Sequence, residues 1–298
     1  MTVVGSHRRA VVLAAWALLL AAGACRREAS RPQPLTAGLL NLAAEQGETP
    51  PRLAATLREI DAIAAQVTAA QSTGLDPAAA LRKVVFGDLG FSREVDSPDL
   101  RYVLLPPVTA ARKGGCVGLG TLYLVLAERL GLPLQGVLVP GHFFVRARDR
   151  AGQVHNVELL HQGEETPDEF YRQRYPTSDP APAAYLRGLD VSEVLAVVLF
   201  NIGNQRRLQG RLDDAEDLYR RASQAFPSFA EAHASLGLTL HLEGHLLQAQ
   251  RAYAAARRAQ SDLPGLDRNL AALAAELGRG GAAAPGPDAG GKGQKRTR

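Results

Sequence analysis

The apolar positions follow two different periods along the chain. Leu53, Leu57, Ile60, Ala64 and Val67 recur at helical spacing and mark one amphipathic helix. Asp76-Pro77 has the form of a helix start, followed by Ala78 to Val85, with Gly87 as the expected stop. Ser97-Pro98-Asp99 reads as an N-cap leading into Leu100 to Leu105, and Pro106-Pro107 is expected to end that helix. The run Val117 to Leu130 is apolar nearly all round, which predicts a buried central helix closed by Gly131 and Pro133. The pattern then changes to strand-like segments at Gln135 to Val139, His142 to Ala147 and Gln153 to Leu159, with residues 148–152 as the turn between the last two. Helices followed by hairpin-linked strands mark one domain over residues 35–190.

Beyond it the chain repeats itself. Leu199, Ile202, Gly203, Gly210, Ala215, Tyr219, Ala222 and Pro227 fit one tetratricopeptide unit, and 34 residues further on stand His233, Leu236, Gly237, Gly244, Ala249, Tyr253, Ala256 and Ser261. Leu263-Pro264 and a helix from Asp267 to Leu277 read as a cap, giving an all-α repeat unit over residues 191–278. Two repeats and a cap are few for a free-standing solenoid, so the unit is expected to pack on the first domain. Residues 279–298 are Gly/Ala/Pro-rich, end in a basic cluster, and read as a disordered tail.

The first residues have the composition of a targeting segment. Arg8-Arg9 forms a basic start, and Val11 to Ala22 is an apolar run short for a membrane span. Leu20-Ala21-Ala22-Gly23-Ala24-Cys25 resembles a bacterial lipoprotein processing site. Residues 1–24 are then a signal peptide, Cys25 carries lipid, and residues 25–34 are a polar tether. Ordinary cleavage after Ala24, leaving a free cysteine, is the alternative. Arg26 rather than Asp follows the cysteine, which by resemblance to lipoprotein sorting implies the periplasmic face of an outer membrane.

The formal net charge of +4 owes much to the ends, since the tail from Arg279 holds five basic residues against Asp288. The middle is near neutral, with no basic stripe and interleaved aromatics, which argues against a nucleic-acid partner. His155 and His161 with Glu158 or Glu164 match no metal-ligand spacing, and no cofactor is implied.

Candidate chemistry centres on Cys116. The chain has two cysteines, Cys25 and Cys116. If Cys25 is acylated in an oxidising compartment, Cys116 has no partner, and an unpaired thiol there is either buried or used. Cys116 follows Lys113-Gly114-Gly115 and opens the apolar helix, where the positive end of the helix dipole favours a thiolate. His142 starts a strand and Glu158 lies on the next: nucleophile, base and orienting group. A hairpin centred on Arg150 sets His142 directly opposite Glu158, with Cβ atoms roughly 4.5–5.5 Å apart. Asn156 shares that face and competes with Glu158, the preferred candidate, to hold the ring, since Cys-His-Asn sites exist. A one-residue shift in turn centre is expected to move both away. The plainer readings are a small buried hydrophobe for Cys116 and a cross-strand ion pair with Arg146 or Arg148 for Glu158.

Gly114-Gly115-Cys116-Val117-Gly118, Leu122-Tyr123, Ala127 to Pro133, Gly136-Val137 and Pro140-Gly141-His142-Phe143-Phe144-Val145-Arg146 together resemble the transglutaminase-like superfamily. The most similar branch is the SirB-type bacterial domain, often followed by tetratricopeptide repeats. The resemblance covers about residues 35–185, with its specific part at 113–163. It implies an α+β, papain-like core with a Cys-His-Asp triad carried by a helix and two strands. Cys116 and His142 match the nucleophile and base positions. At the third position Val157-Glu158 stands where Asp is usual. Two functions follow. One is a lipid-anchored cysteine hydrolase or acyl transferase acting on an amide of a protein or peptide. The other is an inactive envelope adaptor that binds protein or peptide partners through its groove and repeats.

Overall fold

The computed structural model describes residues 34–94, 99–148, 153–178 and 181–282. The first part holds helices α1 (Leu35–Glu45), α2 (Pro50–Ser72) and α3 (Pro77–Arg82), the last running on as a π-helical stretch over Lys83–Asp88. Strand β1 (Ser92–Arg93), a 3-10 turn at Leu100–Tyr102, α4 (Leu105–Ala111) and β2 (Lys113–Gly114) lead into α5 (Cys116–Leu130). Then come β3 (Leu134–Val139), β4 (His142–Arg148), β5 (Val154–Glu158), β6 (Glu164–Thr166) and α6 (Asp168–Arg174). Five helices complete the described chain: α7 (Val191–Leu208), α8 (Leu212–Ala225), α9 (Ala230–Leu242), α10 (Leu246–Ala259) and α11 (Leu266–Ala282). Cys25 and the rest of the expected signal and tether up to residue 33 lie outside the described residues.

Local chemistry explains most boundaries. Asp76 caps α3, its carboxylate accepting from the Ala78 and Ala79 N–H groups at 3.0 Å each. Gly87 does not stop that helix; the chain widens into the π-helical turn and passes through it. Pro106 and Pro107 begin α4 rather than end the preceding turn. In the first turn of a helix proline loses no hydrogen bond, since that N–H has no intrahelical partner. Asp99 caps the 3-10 turn as its sequence implied, with its carboxylate on the Arg101 N–H at 2.9 Å.

Strands β3 to β6 form an antiparallel sheet in sequential order, while β1 and β2 pair in parallel on their own. Helix α5 is buried from Val117 through Ala127 and packs on the sheet. The fit is set by Phe143. A methyl group at Gly120 of α5 would lie 2.5 Å from its ring, and one at Gly136 of β3 also 2.5 Å. The ring fills a slot that only two residues without side chains leave open. At the far end of α5, Glu128 takes the first N–H groups of α1, Leu35 at 2.8 Å and Thr36 at 3.0 Å. A carboxylate at a helix N-terminus satisfies orphan donors and complements the dipole.

The predicted boundary at residue 191 is not a break in the core. Val194, Val197, Val198 and Ile202 of α7 belong to the same buried cluster as Leu39, Ile60, Leu122 and Phe143. Arg221 of α8 reaches Glu45 at the end of α1, 2.9 Å away. Helices α7–α8 and α9–α10 are equivalent hairpins. Gly203 faces Tyr219, where a Cβ would lie 2.8 Å from the ring, and Gly237 faces Tyr253 at 2.6 Å. Both tyrosines are fully buried.

Candidate active site

Cys116 is the first residue of α5, following N-cap Gly115, whose N–H is tied to the Tyr102 carbonyl at 2.9 Å. Its thiol is free and half-buried. It lines a cavity of about 480 Å³ together with His142, Glu158, Tyr102, Phe170 and Tyr175. The cavity also takes Asn201 from α7, so the helical unit supplies part of its wall.

His142 follows Gly141, whose φ of 70° makes the β3–β4 turn. Its Nε2 lies 2.8 Å from Glu158 Oε2, with both side chains buried. The Cys116 thiol lines the same cavity, and its proximity adds to the ring's affinity for a proton; with Nε2 engaged by Glu158, Nδ1 is the nitrogen left to face the sulfur. Tyr175 stacks on the imidazole with ring centroids 4.9 Å apart and an angle of 10°. Glu158 also accepts from the Leu160 N–H at 3.0 Å and the Tyr171 hydroxyl at 3.1 Å.

Burial works against the charged form of both partners, and in both it is outweighed. For His142 the hydrogen bonds to Cys116 and Glu158, then their charges, overcome burial and raise its pKa to about 9. For Glu158 burial pushes the carboxyl up, but the His142 hydrogen bond and charge, the Leu160 N–H and the Tyr171 hydroxyl hold it below its usual value. A protonated imidazole is thus held at neutral pH by the Glu158 carboxylate, in the cavity that the Cys116 thiol lines.

The sheet register differs from the expected one. Strand β4 pairs with β5 through Val145–Val157, Arg146–Asn156, Ala147–His155 and Arg148–Val154. The hairpin therefore centres one residue further along the chain than Arg150. This does not separate His142 from Glu158. Moving the centre by one residue moves each partner by two, which preserves the face, and a diagonal neighbour is still within reach of long side chains. Asn156 is what the shift removes. It lies opposite Arg146, accepting from Nε at 2.7 Å and donating to Asp168 at 2.7 Å and the Thr166 carbonyl at 3.1 Å. It does not meet His142, and Arg146 is paired with Asp168 rather than Glu158.

Tyr171 and Tyr175 escaped the sequence reading, although their spacing of four and the intervening Arg174 are a helical signal that could have found α6. His155 pairs with Glu165 at 2.6 Å, while His161 lines the cavity. Among the described residues, Glu216, Glu243 and His245 could offer metal ligands, their atoms lying within 4.8 Å of one another. They lie on the helical unit and not in the cavity; Glu216 is engaged by Arg220, and burial and Glu216 push Glu243 up to about 7.

Residues 54–198 match the family model of the transglutaminase-like superfamily. The chain is 30% identical over 175 residues to a UPF0162 protein of Xylella fastidiosa strain 9a5c, covering 56% of this chain and 62% of the relative. The UPF0162 protein of strain Temecula1 matches to the same extent. The chain thus spans under two thirds of the length of these curated relatives. Among solved structures, a crystal structure of menin aligns at 13% identity and a TM-score of 0.36, covering 67% of this chain and 60% of menin, a likeness too low to carry an argument.

Proposed function

We propose that the transglutaminase-like domain is a cysteine-dependent hydrolase or acyl transferase acting on an amide. The observation that carries this reading is His142, bonded to the Glu158 carboxylate in the cavity that the Cys116 thiol lines. The Cys116 thiolate attacks the carbonyl carbon, and the C=O electron pair moves to oxygen. The Cys116 backbone N–H, at an open helix N-terminus, is one donor to that oxyanion. Collapse of the adduct breaks the C–N bond, and the leaving amine takes the proton from His142. Water or a second amine, deprotonated by His142, then attacks the thioester and expels the thiolate. Glu158 stays ionised and fixes the ring, as the acid member of a triad does.

Residues 191–278 are, in this reading, two tetratricopeptide units and a cap that engage a protein or peptide partner; the 34-residue recurrence of the Gly203–Tyr219 and Gly237–Tyr253 contacts supports it. Cys25, by its sequence setting, is the site of lipid attachment holding the protein at the cell envelope. Among the described residues no helix is long and apolar enough to cross a membrane.

The chemistry is tested with p-nitrophenyl acetate as a generic acyl donor. A nitrophenolate burst with hydroxylamine-labile acetylation of Cys116, absent in Cys116→Ser, is the expected result. Turnover unchanged in Cys116→Ser contradicts it.

A further inference from the structure

Several arginines of this protein are held in ion pairs. Arg52 meets Glu48, Arg101 meets Asp99, Arg129 meets Asp61, Arg187 meets Glu193 and Arg221 meets Glu45. Arg93 and Arg174 differ. Among the described residues neither makes an ion pair, and both line the cavity that holds Cys116. They approach it from opposite elements. Arg93 lies on β1, in register with Gly114 of β2, two residues before the thiol. Arg174 ends α6, its guanidinium 5.4 Å from the centroid of Tyr175, the ring stacked on His142.

The two carboxylates that line this cavity, Glu158 and Glu94, are engaged by other groups. Glu158 is committed to His142, Tyr171 and the Leu160 N–H. Glu94 is neutralised by Lys113 at 3.9 Å. Glu164 lines a second cavity of about 660 Å³, which shares Arg93, Leu160 and His161 with the first. Arg93 therefore stands where the two cavities join. A guanidinium presents a planar fork of donors that matches a carboxylate, and uncompensated positive charge at a cleft concentrates anions there.

Resting on the nucleophile reading of Cys116, we infer that Arg93 and Arg174 select an acidic peptide, binding carboxylates on either side of the amide presented to the thiol. Arg93 takes the carboxylate toward the second cavity, and Arg174 the one toward His142. An uncharged or basic peptide leaves both guanidiniums without an acceptor.

The test compares two alkylating reagents of similar size, iodoacetate and iodoacetamide, on the full-length protein. Modification of Cys116 is followed by peptide mapping, and each rate is divided by that for a small free thiol. The iodoacetate-to-iodoacetamide ratio is expected to fall about tenfold in Arg93→Gln/Arg174→Gln, the scale on which a focused field concentrates an anion. The ratio in wild type is also expected to fall as salt rises, since exposed charges are screened. A ratio within twofold of wild type in the double variant overturns the inference while leaving the nucleophile reading intact. If native Cys116 resists both reagents, the nucleophile reading fails instead. Calorimetry with acetyl-Glu-Glu-amide then decides acidic-peptide binding by itself. Binding lost in the double variant and absent for acetyl-Gln-Gln-amide supports recognition; equal binding of the two peptides overturns it.

Discussion

His142 and Glu158 meet at 2.8 Å without being a cross-strand pair. In the observed register Asn156 lies opposite Arg146, so Glu158, two residues further on, reaches His142 along the diagonal from the last position of β5. The extra methylene of glutamate over aspartate suits that longer path. The same carboxylate caps the turn at Leu159–His161 through the Leu160 N–H, which fixes its direction.

Glu158 and Asn156 should therefore separate in function. Glu158→Gln removes the charge facing the imidazolium and should slow Cys116 alkylation at neutral pH about tenfold, one unit of proton affinity. Asn156→Ala should leave that rate nearly unchanged but destabilise the protein by roughly 1–3 kcal/mol, because buried Arg146 loses an acceptor and Asp168 a donor. Alkylation rates and urea melts of the two variants give the comparison.

Stability should carry a pH signature of the same pair. His142 binds its proton up to about 9 in the folded protein, against an ordinary value of 6.5. Its contribution is fully present below about 6.5 and is lost as pH rises toward 9. Glu158 is shifted the other way, so its contribution is present above its usual value of 4.5 and is lost as pH falls through the acid range. Urea unfolding across pH should show the difference between wild type and His142→Gln shrinking between 6.5 and 9.

In the helical unit, Tyr219→Ala and Tyr253→Ala should each cost roughly 3–5 kcal/mol, as for large buried aromatics. Gly203→Ala and Gly237→Ala should cost about 1–3 kcal/mol by overpacking, since the new methyl meets a buried ring. Because α7 shares its core with the first domain, loss at Gly203 should lower a single cooperative transition. Two separate transitions in thermal melts count against the shared core.

The anchoring of α5 can be tested at Gly118. A Cβ there would lie 2.2 Å from the Tyr102 carbonyl oxygen, backbone that cannot move aside alone. Gly118→Ala should both destabilise the protein and displace the Cys116 end of the helix. Slowed Cys116 alkylation alongside a lowered melting temperature is the expected pair of readouts.

The positions of Cys116 and His142 in the fold were more legible in the sequence than their surroundings. Cys116 at a helix start and His142 at a strand start follow from local signals, glycines before the one and Pro140-Gly141 before the other. The recurrence of the Gly203–Tyr219 and Gly237–Tyr253 contacts was legible because a fixed spacing needs no tertiary knowledge. The choice between Glu158 and Asn156 was not legible, because it depends on where the hairpin turns, and residues 148–152 offer several centres. Pro106-Pro107 misled because proline punctuates both ends of a helix. Tyr175, Arg93, Arg174 and Asn201 reach the cavity from elements distant in sequence, and no periodicity shows which long-range contacts will form.

The central claim is that His142 activates Cys116, and the pH profile of Cys116 alkylation tests it most directly. Iodoacetamide is applied to native full-length protein across the neutral range, with peptide mapping to follow Cys116 alone. Wild type should react readily near neutral pH, and His142→Ala should react only as pH approaches the free-thiol range near about 8.5. Superimposed profiles for the two proteins, or a Cys116 that reacts only after denaturation, contradict the account and leave the adaptor reading in its place.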